Sequence, residues 1–109
     1  FRLRLQKQRF VTSRDIAGLA EGAKIKIAGL VIRPHRPPTR SGKIVVFLTL
    51  EDEFGLIDVT VFENIYHRYG EKLFKNPLLS IEGTVARRGG NEAGIVANRI
   101  QPLTQAQAW

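Results

Sequence analysis

An all-β fold, a five-stranded barrel with one short helix between strands 3 and 4, follows from three features of this 109-residue sequence. Apolar and polar residues alternate with period two in five short runs. Between the third and fourth runs the apolar spacing lengthens to about 3.6, the helical repeat. Gly, Pro, Asn and Asp clusters punctuate the runs. With 43% hydrophobic and 25% charged residues, the composition is that of an ordinary folded domain with one core.

The first run lies in 24–33, where Lys24-Ile25-Lys26-Ile27 alternates as a half-buried strand. Gly29 interrupts it and predicts a bulge or sharp bend. Residues 43–52 form the second strand, with Val46, Leu48 and Leu50 on one face and Phe47, Thr49 and Glu51 on the other. A tight connection at 53–55 leads to the third strand, 56–62, where Ile57, Val59 and Val61 face opposite to Asp58 and Thr60. Residues 63–74 bring Ile65, Tyr66, Tyr69, Leu73 and Phe74 to one side of an amphipathic helix. Gly70 weakens that helix, and Asn76-Pro77 ends it. The fourth strand, 78–88, turns Leu79, Ile81 and Val85 inward and Ser80, Glu82 and Thr84 outward. A turn at 89–94 precedes the fifth strand, 95–100.

Residues 1–21 read as a lead-in from the preceding part of a larger protein, because the chain starts at Phe1 and holds no methionine. Phe1, Leu3 and Leu5 alternate with Arg2 and Arg4 as in a short strand or arm. Thr12 or Ser13 caps a brief helical turn, with Asp15 near its start and Ile16 and Leu19 buried. The domain then spans 22–103, and 104–109 is a tail or linker. Strand, strand, strand, helix, strand, strand is the order of an OB-fold, a partly open Greek-key barrel. Its ligand surface is the face of strands 2 and 3 with the loops joining strands 1–2 and 4–5.

The formal net charge is +7 and the pI about 10.4, which points to nucleic acid ahead of an anionic membrane surface. The charge is segregated. From Gly22 to Leu50 the chain carries Lys24, Lys26, Arg33, Arg36, Arg40 and Lys43 and no acid, whereas Glu51, Asp52, Glu53, Asp58 and Glu63 follow with no base. No apolar run reaches the ~20 residues of a membrane span. The absence of cysteine excludes disulfides and thiolate metal sites and suits a reducing, cytoplasmic setting. A catalytic constellation is missing: His35 and His67 are isolated from any base or nucleophile partner. Asp52, Glu53 and Asp58 read as a solvated turn, and the "RRGGNEAG" stretch lacks the Lys-Ser/Thr of a phosphate loop. The expectation is a domain without catalytic residues, metal, cofactor or small-molecule substrate.

Both mouth loops of the predicted barrel are basic. "RPHRPPTRSGK" (33–43) contributes Arg33, Arg36, Arg40 and Lys43, and "RRGGN" (87–91) contributes Arg87 and Arg88, all candidates for neutralising phosphates. Thr39, Ser41 and Asn91 stand beside them as hydrogen-bonding neighbours. Pro34, Pro37 and Pro38 limit the loop's conformational freedom, so ordering it on binding costs less. Phe47, Thr49 and Thr60 are expected on the outer face of strands 2 and 3, with Phe47 placed to stack on an unpaired base. The competing expectations are that the arginines serve solubility alone and that Phe47 is covered by the lead-in or faces inward through a one-residue shift of register.

The stretches "AGLVIRPHRPPT", "GKIVVFLTLEDEFG" and "VTVFENIYHRY" resemble the OB domain near the C-terminus of bacterial DNA polymerase III alpha subunits, above all the error-prone, DnaE-type branch. The resemblance covers about 12–103. Anticodon-binding OB domains of aspartyl-type tRNA synthetases have a similar second strand, in which the aromatic matching Phe47 stacks on an anticodon base; the Arg-Pro-Pro-Thr loop favours the polymerase. The "GGNEAGIVANRI" end departs from the pattern in being less hydrophobic. The resemblance implies a non-catalytic module of a replicative or translesion polymerase that binds single-stranded template DNA with little sequence preference. Its further partners would be the rest of the polymerase chain and other replisome subunits. The alternatives are a tRNA anticodon-binding domain and an OB domain that docks replisome proteins.

Overall fold

Side-chain alternation, inward apolar and outward polar, closes a barrel here. The computed structural model describes residues 10–88 and 92–103, except the side chains of Arg88 and Glu92. The predicted arm at Phe1, Leu3 and Leu5, Asn91 and the rest of the 89–91 turn, and the 104–109 tail lie outside the described residues. The elements are α1 (Ser13–Ile16), β1 (Lys24–His35), β2 (Val45–Glu51), β3 (Leu56–Phe62), α2 (Glu63–Lys75), β4 (Leu78–Arg88) and β5 (Glu92–Pro102). The strands close in the order β1-β2-β3-β5-β4, an OB barrel with α2 between β3 and β4 as expected. β3 and β5 pair in parallel, at Val59↔Ile95 and Thr60↔Val96, and the other neighbours are antiparallel. Val46, Leu48 and Leu50 of β2, Ile57, Val59 and Val61 of β3, and Leu79, Ile81 and Val85 of β4 are all buried in one core.

Closure depends on β1 serving two partners. It pairs with β4 from Lys24 to Leu30 and with β2 from Leu30 to His35. Gly29 stands at the changeover, where a Cβ would lie 2.5 Å from the Glu51 carbonyl oxygen. The predicted irregularity therefore takes the form of a close backbone approach. The register shift itself comes later, between Ile32 and His35, where Arg33 adopts a left-handed backbone with φ of 52°. Gly83 has the same role across the barrel, at a register shift in the β4–β5 pairing, with its missing Cβ 2.6 Å from the Val96 carbonyl oxygen.

Some bounds differ from those expected. β5 runs from Glu92 to Pro102 rather than 95–100, because main-chain pairing with β4 continues where the apolar pattern fades. Helix α2 buries Leu73 and packs Ile65, Tyr66 and Tyr69 against the core, but Phe74 is 50% exposed. One further residue turns the helix by about 100°, which carries position 74 off the face that holds 73.

The lead-in packs on the barrel from residue 10 onward. Phe10 forms a parallel bridge with Lys26, and the Val11 N–H donates to the Lys26 carbonyl at 2.8 Å. Thr12 caps α1, its N–H and Oγ1 both donating to the Asp15 carboxylate, and Ile16 enters the core. Asp52 holds this segment in place and is no solvated turn residue. Only 9% exposed, it accepts from the Ser13 N–H at 2.6 Å and Oγ–H at 2.7 Å, and from the Phe54 and Gly55 N–H groups at 2.9 and 3.0 Å. Burial pushes its pKa up, but the hydrogen bonds from Ser13, Phe54 and Gly55 outweigh that and hold it below the usual carboxylate value.

Two outcomes follow for stability. Gly29→Ala should cost roughly 1–3 kcal/mol in urea unfolding through overpacking against backbone, whereas Gly18→Ala, whose Cβ would meet only the Asp15 carbonyl at 3.8 Å, should shift the midpoint little. Asp52→Asn puts an amide N–H against a donor and should cost about 1.5–3 kcal/mol at neutral pH. Because the folded pKa is depressed, the Asp52 contribution is complete above the unfolded value of about 3.9 and vanishes as pH falls through the folded one. The stability gap between native and Asp52→Asn protein should accordingly be constant from pH 7 to 5 and close in stronger acid.

Candidate nucleic-acid interface

The outer face of β2 and β3 is the floor of an open cleft of about 530 Å³. Cross-strand register sets Phe47 opposite Thr60 and Thr49 opposite Asp58 on that floor. Phe62 continues the row at one end, 46% exposed. The β1 end forms one wall with Arg33 and His35, and the β4–β5 hairpin forms the other with Ala86, Ala93, Gly94 and Val96. These small residues leave the floor accessible from above.

Of the residues expected at the site, Arg33, Phe47, Thr49 and Thr60 line this cleft together. Phe47 is half-buried, and the side chain beside it is His35, its cross-strand partner, with ring centroids 5.7 Å apart and planes tilted by 34°. The lead-in contributes no residue to the cleft among the described residues. The Arg33 side chain reaches the wall because the left-handed residue and Pro34 bulge β1 at this point.

Arg36, Arg40 and Lys43 occupy the loop that follows β1 and are exposed, but they do not line the cleft itself. The loop is ordered by its own bonds. Thr39 Oγ1 donates to the Lys43 carbonyl at 2.6 Å, and the Gly42 N–H donates to the Thr39 carbonyl at 3.2 Å. The Ile44 N–H donates to the Glu63 carboxylate at 3.1 Å, tying the loop exit to α2. Arg36 donates to Tyr66 Oη at 3.2 Å and lies 5.7 Å from the centre of its ring. Gly70, a weak point in helix propensity, makes room for that ring: a Cβ there would lie 3.0 Å from it. Among the described residues, ion pairs join Lys26 and Arg99 to Glu82, His67 Nε2 lies 3.9 Å from the Glu63 carboxylate, and none of these contacts engages Arg33, Arg36, Arg40 or Lys43.

Arg87 is placed differently. Its guanidinium donates to the Ala17 carbonyl at 2.7 Å and to the Leu19 carbonyl, and its N–H donates to Glu21. It braces the lead-in, so its charge is held away from the cleft floor. The side chain of Arg88 lies outside the described residues.

Three floor or wall residues escape sequence reasoning. His35 reads as part of the 33–43 loop, yet β1 continues through it. Phe62 carries a usable signal, since it extends the alternation of Asp58 and Thr60. Asp58 belongs by sequence to an acidic run lying away from the mouth, but the same alternation puts its exposed carboxylate in the cleft, where it accepts from Thr49 Oγ1 at 3.3 Å.

Comparison with known proteins agrees with this geometry. The family described as OB-fold nucleic acid binding domain matches residues 20–103. An error-prone DNA polymerase of Symbiobacterium thermophilum is 50% identical over 104 residues, and one of Pseudomonas paraeruginosa is 39% identical over 103. Each alignment takes in 94% of this chain, which spans about a tenth of the length of those relatives. Among solved structures, asparaginyl-tRNA synthetase of Pyrococcus horikoshii aligns with a TM-score of 0.72 at 21% identity, over 94% of this chain and 23% of the synthetase. A mitochondrial single-stranded DNA binding protein of S. cerevisiae aligns with a TM-score of 0.60 at 13% identity, over 77% of this chain and 97% of its own. At these identities the two structures share the fold.

The strained backbone at Arg33 offers a test of local structure. Arg33→Gly and Arg33→Ala both remove the guanidinium, but only glycine relieves the left-handed conformation. Thermal unfolding should find the glycine variant the more stable of the two by roughly 0.5–1 kcal/mol.

Proposed function

The chain belongs to the OB-fold nucleic acid binding domains, and from that premise we propose that it binds single-stranded DNA in the β2–β3 cleft, as the template-holding module of an error-prone DNA polymerase. The observation that carries this reading is Phe47 on the cleft floor with the His35 ring beside it, at the end of β1 from which the loop bearing Arg36, Arg40 and Lys43 departs, cations with no acidic partner among the described residues.

The physical division of labour is simple. Unpaired bases have exposed π faces, and Phe47 offers a surface for one of them, an interaction of about 1–3 kcal/mol per base. A duplex hides those faces, which favours the single strand. The phosphates then run along the rim, where the loop cations displace condensed counterions. Hydrogen bonds within the loop and the Arg36–Tyr66 bond hold the rim partly arranged before a ligand arrives, which lowers the entropy lost on binding. In this reading the segment supplies binding alone, and nucleotide transfer resides elsewhere in the longer polymerase.

Fluorescence anisotropy with a labelled oligonucleotide, read at several salt concentrations, tests the proposal. Single-stranded DNA should bind ahead of duplex DNA and of RNA of the same sequence. Phe47→Ala should weaken binding by about 1–3 kcal/mol, and Arg36→Ala/Arg40→Ala should lower the salt slope by about 0.7 for each phosphate that is no longer neutralised. RNA preference would favour an anticodon-type ligand. Binding unmoved by these substitutions would remove the cleft from consideration.

A further inference from the structure

The acidic residue in the cleft is out of keeping with a surface that only attracts phosphate. Asp58 lies on the floor, exposed, one cross-strand step along the same face from Phe47. Thr49 donates to its Oδ1, and no cation pairs with it among the described residues. A carboxylate there repels a phosphate, so the backbone of a bound strand is kept to the rim and the floor is left to bases.

We infer that Asp58 is a specificity-determining residue that selects a base with two adjacent donors, guanine, for the position stacked on Phe47; the inference rests on the single-strand reading above. Same-face diagonal neighbours in an antiparallel pair are about 7–8 Å apart. A base stacked over the Phe47 ring spans that gap and turns one edge toward the carboxylate. A carboxylate only accepts hydrogen bonds. The Watson–Crick edge of guanine carries the N1–H and the 2-amino group side by side, which match the two carboxylate oxygens. Adenine and cytosine each set one amino group beside a ring-nitrogen acceptor, which the second oxygen repels. Thymine sets one N–H between two carbonyls. The result is a bias at one position within an otherwise tolerant groove.

The test uses labelled thymine oligonucleotides carrying at the centre a single guanine, a single inosine, which lacks the 2-amino group, or thymine throughout. With the native chain at low salt, guanine should bind about tenfold tighter than the all-thymine strand, and inosine should lose most of that gain. Asp58→Asn should abolish the guanine preference while tightening binding of the all-thymine strand, because a negative charge leaves the cleft. A residue needed only for folding would weaken every oligonucleotide alike. Equal affinity for guanine and thymine in the native chain, with binding still dependent on Phe47, would overturn the role of Asp58 and leave the single-strand reading standing. Absence of binding to every oligonucleotide would overturn both.

Discussion

Closure of the barrel turns on one steric constraint: β1 must hydrogen-bond to β4 with its first half and to β2 with its second. The crossover at Gly29 brings two main chains so close that no side chain fits between them. A strand that changes partner in this way leaves its second half paired with β2 alone, and that half ends with His35 directly opposite Phe47. The bulge at Arg33 then turns a cation into the same cleft. The cleft wall is thus built from the strand that closes the barrel. Gly83 relieves the matching approach on the β4–β5 side, where the second wall begins.

The arginines show how the same chemistry is divided among roles. Arg33 stands in the cleft wall, Arg36 is steered by an aromatic ring on α2, and Arg87 is taken up by the carbonyls of the lead-in. The acids divide likewise. Asp52 and Glu63 fasten loops and the lead-in to the barrel, while Asp58 faces the groove. A net charge of +7 therefore overstates the cation available to a ligand on the barrel and says nothing of where the negative charge sits. Carboxylates that collect backbone N–H groups act as structural fasteners, and they belong to the fold more than to the surface potential.

Much of this is legible from local pattern. Period-two alternation places Val46, Leu48 and Leu50 inside and Phe47 and Thr49 outside, and the element order implies the barrel and the cleft's location. The residues that escape are those decided by partners distant in the chain. The fate of Arg87 depends on carbonyls some seventy positions away, and Asp52 meets Ser13 across 39. Pro34 reads as part of a stiff loop, yet β1 runs on through it to His35, because a bulge where β1 pairs with β2 alone accommodates a residue without a donor. Phe74 follows the apolar pattern of its helix but sits one step past the covered arc. In each case local sequence states a preference and tertiary geometry overrides it.

The join between β3 and β5 has a mechanical meaning. Among the described residues it consists of the Val59↔Ile95 and Thr60↔Val96 pairs, and all four of these residues also line the cleft. The rest of the barrel is laced by longer ladders. The proposed binding surface therefore straddles the stave joint with the fewest rungs among the described residues. Any chain seated across it acts as a splint, so that occupancy and the stiffness of the barrel rise together.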